Sequence, residues 1–258
     1  MTSRCLFFHL TGPMAGWGGE GAIGDIRKSD THPSKSAIVG ILAASLGIDR
    51  SDTELQTCLF NDYDYVVTSK EPVKKISDFH TIQTGSTDSI RSKSPVEEYC
   101  RRFELKSKYP VEIVSRREYI CNGFYSVFVI SKDGCRFSLE EIKDALEHPH
   151  YIPYLGRKSC ALSFPMCPGI TDCGCLYDTI CIESMKPFEK FQFPESDFPA
   201  DKNPRIFAAF LADKDLRIFA TFPMDKEKNY SVVKRRDDMA DRRNWTFTER
   251  NEYVYKGE

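Results

Sequence analysis

The sequence predicts an α+β fold, a few helices laid on a largely antiparallel sheet, and three observations carry that reading. Short apolar runs bounded by Gly, Pro or polar turns recur along the chain, as strands do. Helical spacing with capping signals is confined to a few short segments. The order is strand, helices, strands, one more helix and a closing series of strands, which fits helices on an antiparallel sheet. Hydrophobic residues make up 41% and charged residues 29% of the 258, so there is ample chain to bury a core.

Cys5–Leu10 reads as a buried strand closing at Gly12-Pro13, followed by a loop in which Gly16, Gly18, Gly19, Gly21 and Gly24 surround Trp17. Ser34 is placed to cap a helix over 35–46, with Ile38, Ile41 and Leu42 on its apolar face and Gly47 at the left-handed stop. Ser51-Asp-Thr-Glu54 has the form of a capping box opening a short helix to Leu59, and Tyr63–Thr68 reads as a strand. Residues 84–115 are polar, hold Gly85, Pro95 and Pro110, and keep no period, which marks an insertion in a single domain spanning 1–258. Strand character returns over Glu118–Ile130. Ser138-Leu-Glu-Glu141 is a second capping box, for a helix with Leu139, Ile142 and Leu146 on one face and His148-Pro149 at its end. Strands are expected at Leu176–Glu183, Ile206–Leu211, Leu216–Phe222, Ser231–Lys234 and Trp245–Tyr255.

Lys and Arg number 36 against 38 Asp and Glu, and a net charge of −2 argues against a uniformly basic surface for long duplexes. The basic residues nonetheless gather in knots, among them Arg101-Arg102, Arg116-Arg117, Arg157-Lys158, Lys234-Arg235-Arg236 and Arg242-Arg243. Several such knots converging in the fold could line a track for one strand of nucleic acid. No stretch approaches the roughly 18–20 apolar residues of a membrane helix. The first ten residues lack the apolar length and the cleavage site of a secretory signal. A cytoplasmic location is therefore expected, with the 10 cysteines as reduced thiols.

Familiar catalytic patterns fail on spacing. Gly16-Trp-Gly18-Gly-Glu-Gly21 has the glycines of a dinucleotide loop, but no helix opens on the last of them to hold a pyrophosphate. A loop that lets backbone approach a ligand, anchored by Trp17, is the better reading. Gly156-Arg-Lys-Ser159 lacks the earlier glycine of an NTP-binding loop, yet offers cations and a hydroxyl to a phosphate. Cys160, Cys167, Cys173, Cys175 and Cys181 contain no pair at zinc-ligand spacing, so neither a metal nor any other cofactor is expected. His32, His80, Lys35 and Tyr119 could support metal-independent RNA cleavage, but nothing in the sequence fixes their mutual geometry.

Several segments in this order resemble one family. They are Leu10-Thr-Gly-Pro-Met-Ala-Gly-Trp-Gly18, the helix segment His32-Pro-Ser-Lys-Ser-Ala-Ile-Val through Gly47-Ile-Asp-Arg50, and Asp78-Phe-His-Thr81. Arg116-Arg-Glu-Tyr-Ile-Cys121, Tyr154-Leu-Gly-Arg-Lys-Ser-Cys160 and Arg236-Asp-Asp followed by Glu252-Tyr-Val-Tyr-Lys-Gly257 complete the set. The resemblance is to the Cas-five group of CRISPR-associated proteins, in its branch within the type I-E surveillance complex Cascade. It implies a ferredoxin-like or RRM-like palm (1–83 and 116–258) carrying an inserted β-hairpin thumb (84–115). It also implies a non-catalytic, antiviral RNA-binding subunit that caps the backbone filament and holds the 5′ handle of the CRISPR RNA. The expected partners are that RNA, the Cascade backbone subunit and the large PAM-recognising subunit, with no membrane. The alternative is a metal-independent endoribonuclease that processes repeat RNA. The RNA contacts expected on this basis are Trp17, Arg27, Ser34, Lys35, Ser36, His80, Arg116, Arg117, Tyr154, Arg157, Lys158 and Ser159.

Overall fold

Strand β1 (Ser3–Ala15) runs through Gly12-Pro13 instead of stopping there, because it stays paired with β5 as far as Ala15↔Ile120. The structure, a computed structural model, describes residues 3–19, 26–70, 73–85, 110–173, 175–185, 216–224, 228–241 and 246–256. It divides into two units, one of 1–17, 30–74 and 120–258, the other of 18–29 and 75–119.

In the first unit the sheet order is β6-β1-β5-β3-β7-β9-β8 and every pairing is antiparallel. The strands are β3 (Tyr63–Lys70), β5 (Pro110–Ser131, from Ile120 onward in this unit), β6 (Gly169–Cys173), β7 (Leu216–Ala220), β8 (Tyr230–Asp241) and β9 (Thr246–Lys256). Both faces of the central strands are buried, which explains why Cys5–Leu10 is apolar throughout instead of alternating. Cys5 and Phe7 share one face with Val66, Phe128, Ile218 and Tyr255. On the opposite face Leu6 and Phe8 lie across from Val129 and Val127, and Val129 in turn lies across from Tyr65.

Among the described residues four helices serve this sheet. Helix α1 (Lys35–Leu46) has the expected cap, the Ser34 side chain accepting from the Ala37 N–H, and ends at Gly47 with φ 73°. Helix α2 (Thr53–Asn61) is capped by Asp52, one residue later than the Ser51 box implies. The Tyr65 hydroxyl donates to Leu59 O of α2, tying that helix to β3. Helix α3 (Leu139–Glu147) carries the full Ser138–Glu141 capping box and buries Leu139, Ile142 and Leu146. The strand expected at Leu176–Glu183 is instead helix α4 (Leu176–Met185), which buries Tyr177, Ile180 and Ser184 at helical spacing. Tyr177 and Ile180 enter the cluster around Cys5 and Phe128, so tertiary packing overrides the β-branched run Thr179-Ile-Cys-Ile182.

In the second unit β4 (Lys74–Gly85) and the N-terminal part of β5 pair, and the two-residue β2 (Ile26–Arg27) joins β5 in parallel. Residues 84, 85 and 110–115 of the expected insertion are strand; the remainder of it lies outside the described residues, as does the strand expected at Ile206–Leu211. Among the described residues no helix is long and apolar enough to cross a membrane.

Candidate nucleic-acid interface

Two sequence-predicted segments meet in the first unit. Residues 154–161 form a tight turn closed by a bridge between Tyr154 and Ala161, with Leu155 N–H donating to Cys160 O at 2.8 Å and Cys160 N–H to Arg157 O at 2.8 Å. Gly16 N–H donates to Leu155 O at 3.0 Å, which holds the Gly16-Trp17 start of the glycine segment against this turn. Gly156 has φ 80°, and a Cβ there would stand 2.1 Å from Gly16 O. The Arg157 side chain lies across Gly16, its Cδ within 2.9 Å of where a Cβ would be. Trp17 is buried and meets Tyr125 edge-on at 5.3 Å. Burial pushes the Tyr125 phenol up to about 12, with the Trp17 indole hydrogen bond acting the other way. Trp17 is thus a buried anchor beside the turn, on which Lys158 and Ser159 stand exposed and Tyr154 and Arg157 half-buried. A cation, a hydroxyl, a guanidinium and an aromatic ring on one turn suit a phosphate and an unstacked base.

The start of α1 has a different neighbourhood. Lys35 donates its backbone N–H to Asp237 Oδ2 and its Nζ to Asp238 Oδ1, both at 2.7 Å. The Ser34 and Ser36 hydroxyls are 3.0 Å apart. Both aspartates come from β8, where Arg235 pairs with Arg250 and Asp238 with Thr248, so one extra residue bulges on β8. That bulge turns the Asp237-Asp238 pair towards α1. Asp237 also takes Arg250 Nε at 2.6 Å, Arg250 reaches Glu252 at 3.2 Å, and Glu252 faces His32 Nε2 at 3.2 Å and Arg235 at 3.6 Å. His32 stacks on Phe219 with centroids 3.5 Å apart, and Asp30 completes the set at 3.0 Å from Arg235. Burial alone would raise the Glu252 carboxyl, but the His32 hydrogen bond and the charges of His32, Arg235 and Arg250 hold it at about 2. Carboxylates therefore engage both donors of Lys35, expected to hold a phosphate, and the contact fastens the β8–β9 hairpin to α1. Asp237, Asp238, Arg250 and Glu252 carry no role in the sequence reading, although the alternation Arg235/Asp237 and Arg250/Glu252 is a period-2 charge pattern on one strand face.

The second unit holds the remaining site residues. Arg27 lies in register with Arg117 across the parallel β2–β5 bridge, and Ile26 with Arg116. Side chains at one register in parallel strands share a face, so Arg27 and Arg117 lie on the same face of this pair. Arg116 covers the exposed Phe79 ring at 4.7 Å, and His80 Nε2 meets Asp78 at 2.9 Å. Glu118 accepts from the Ser29 N–H at 3.2 Å and Lys75 Nζ donates to Ser29 O at 2.8 Å, holding the strand entry in place.

Of the histidines considered for RNA cleavage, His32 is buried between Glu252, Arg235 and Phe219, whereas His80 meets Asp78 through Nε2 and stays partly exposed. The one group of described residues with metal-ligand proximity, Asp144, Glu147 and His148, is wholly exposed. Its members are engaged within the helix end, Lys143 with Glu147 at 2.5 Å and His148 with Asp144 at 3.6 Å, as on a solvated helix face.

A family model described as CRISPR-associated protein (Cas5) matches residues 5–243. The chain is 30% identical over 169 residues to the CRISPR system Cascade subunit CasD of Escherichia coli (strain K12), covering 62% of this chain and 68% of that one. Its fold is similar to a chain of a CRISPR RNA-guided surveillance complex, with TM-score 0.61 at 21% identity over 98% of this chain and 90% of the other. A second similar fold is that of a crystallised Cas protein, with TM-score 0.50 at 20% identity over 98% and 95% of the two chains.

Proposed function

The chain belongs to the CRISPR-associated Cas5 family, and from that premise we propose that it is the non-catalytic Cascade subunit that binds the 5′ handle of the CRISPR RNA. In this reading it caps the end of the backbone filament beside the large PAM-recognising subunit. Residues 1–83 and 116–258 then form the ferredoxin-like palm and 84–115 the thumb.

The observation that carries the reading is the meeting of the glycine loop with the 154–159 turn, which gathers Tyr154, Arg157, Lys158 and Ser159 over the Trp17 anchor. Arg27, Arg116 and Arg117 supply the second cationic surface, with Phe79 as an aromatic partner and His80 beside it. Aromatic stacking and guanidinium contacts are how a splayed single strand is held. Within the first unit Lys35 fixes the β8–β9 hairpin against α1, whose start Ser34 caps beside Ser36. The processing alternative needs an available general base, and the enclosure of His32 between Glu252 and Arg235 supports binding without cutting.

Incubation of the purified chain with labelled repeat RNA, with and without divalent metal, should leave the RNA intact. Site-specific cleavage lost on His80→Ala would overturn the binding-only reading in favour of processing.

A further inference from the structure

Two thiols in the core stand apart from everything the RNA surface uses. Cys5 on β1 and Cys173 on β6 are each under 5% exposed, and their Sγ atoms lie 2.7 Å apart. Register explains the meeting: Cys5 pairs with Thr171 and Ser3 with Cys173, so the two cysteines are diagonal neighbours on one face of adjacent antiparallel strands. They share that face with Val66, Phe128, Tyr177 and Ile180, a surrounding with no other use for paired sulfurs.

We propose that Cys5 and Cys173 form a reversible redox site, closing to a disulfide when a low-molecular-weight disulfide such as oxidised glutathione accumulates. Strand β6 is five residues long and ends the sheet among the described strands, so its local opening brings Cys173 to solvent while the rest of the sheet stays paired. The Cys173 thiolate attacks the small disulfide, forming a mixed disulfide and releasing one small thiolate. Reclosure of β6 returns the sulfur to Cys5, whose thiol attacks it, loses its proton and expels the second small thiol. Two protein thiols are oxidised and one small disulfide is reduced to two thiols. The roles follow the environment. The hydrogen bond with Cys173 and burial push the Cys5 thiol up, whereas the same hydrogen bond holds the Cys173 thiol below its ordinary value. Because Cys173 lies on the strand that opens, it is the attacking sulfur, and Cys5, on the interior strand β1, is the resolving one.

The bond would join residues 168 positions apart and pin the terminal strand to β1. Cross-links that close long loops remove most entropy from the unfolded chain, so the oxidised form should melt about 5 °C or more above the reduced one. The test treats the full chain with oxidised glutathione, blocks remaining thiols with N-ethylmaleimide, and maps the digest by mass spectrometry with fragmentation. The expected result is one dominant cross-link between Cys5 and Cys173, the raised melting temperature, and reversal of both by dithiothreitol. Recovery of Cys5 and Cys173 as alkylated thiols overturns the proposal, whether or not other cysteines are modified. Cys5→Ala, which keeps a small apolar side chain in the core, should abolish both the cross-link and the shift. A shift that persists in this variant assigns the effect elsewhere and also overturns the proposal.

Discussion

Gly156→Ala should lower the melting temperature by roughly 5–10 °C and weaken RNA binding with it. Two costs combine at this position. The left-handed backbone of φ 80° costs an L-residue about 1–2 kcal/mol, and the new Cβ would stand 2.1 Å from the backbone oxygen of Gly16. Backbone cannot swing aside as a side chain can, so the 154–161 turn and the glycine loop must part, losing the Gly16–Leu155 hydrogen bond. The control is Gly134→Ala, with φ 76° but nothing within 4 Å of a Cβ, which should show the backbone cost alone. Equal melting temperatures for the two variants would mean that the loop and the turn are not in contact.

The second large effect belongs to the buried ionic cluster. Arg250→Ala removes the guanidinium shared by Asp237 and Glu252, which are 7% and 4% exposed, and breaking a buried ion pair by removing one partner costs about 3–5 kcal/mol. Arg4→Ala removes an ion pair of similar length, 2.7 Å to Glu140, but both partners are more than half exposed and the change should be under about 1 kcal/mol. The same cluster sets an acid limb. Glu252 titrates near 2 in the folded chain against 4.5 when unfolded, so its folded value is depressed. Its contribution is fully present above the unfolded value and is lost as pH falls from about 5 towards 2. Denaturant melts across that range should show wild type losing more stability than Glu252→Gln. Parallel slopes for the two would place the carboxylate outside any ionic cluster.

Local signals made α1 and α3 legible, because the caps at Ser34 and at Ser138–Glu141 are written within a few residues. Helix α4 was not legible in that way. Thr179-Ile-Cys-Ile182 favours strand by local preference, and only the packing of Tyr177 and Ile180 against Phe128 and Tyr255 decides the matter. Strand β6 has neither a clear alternation nor a long apolar run; it exists because β1 offers it an edge. The site divides along the same line. Tyr154, Arg157 and Trp17 could be named from residue type, but the Gly16–Leu155 hydrogen bond that joins their segments belongs to the fold. Lys35 reads as a phosphate ligand in isolation, and its two aspartate partners arrive from a bulged strand about 200 residues later.

The affinity of the full chain for RNA carrying the repeat-derived 5′ handle, measured across a salt series, bears most directly on the proposed role. Arg117→Ala and Tyr154→Ala should each weaken binding about tenfold or more, since a stacked base is worth about 1–3 kcal/mol and a charged hydrogen bond about 1.5–3 kcal/mol. Salt separates them: loss of Arg117 should flatten the salt dependence by about one counterion, and loss of Tyr154 should leave the slope unchanged. Lys143→Ala, whose ammonium serves Glu147 on α3, should bind as wild type does. Wild-type affinity and slope in both site variants would contradict the handle-binding account.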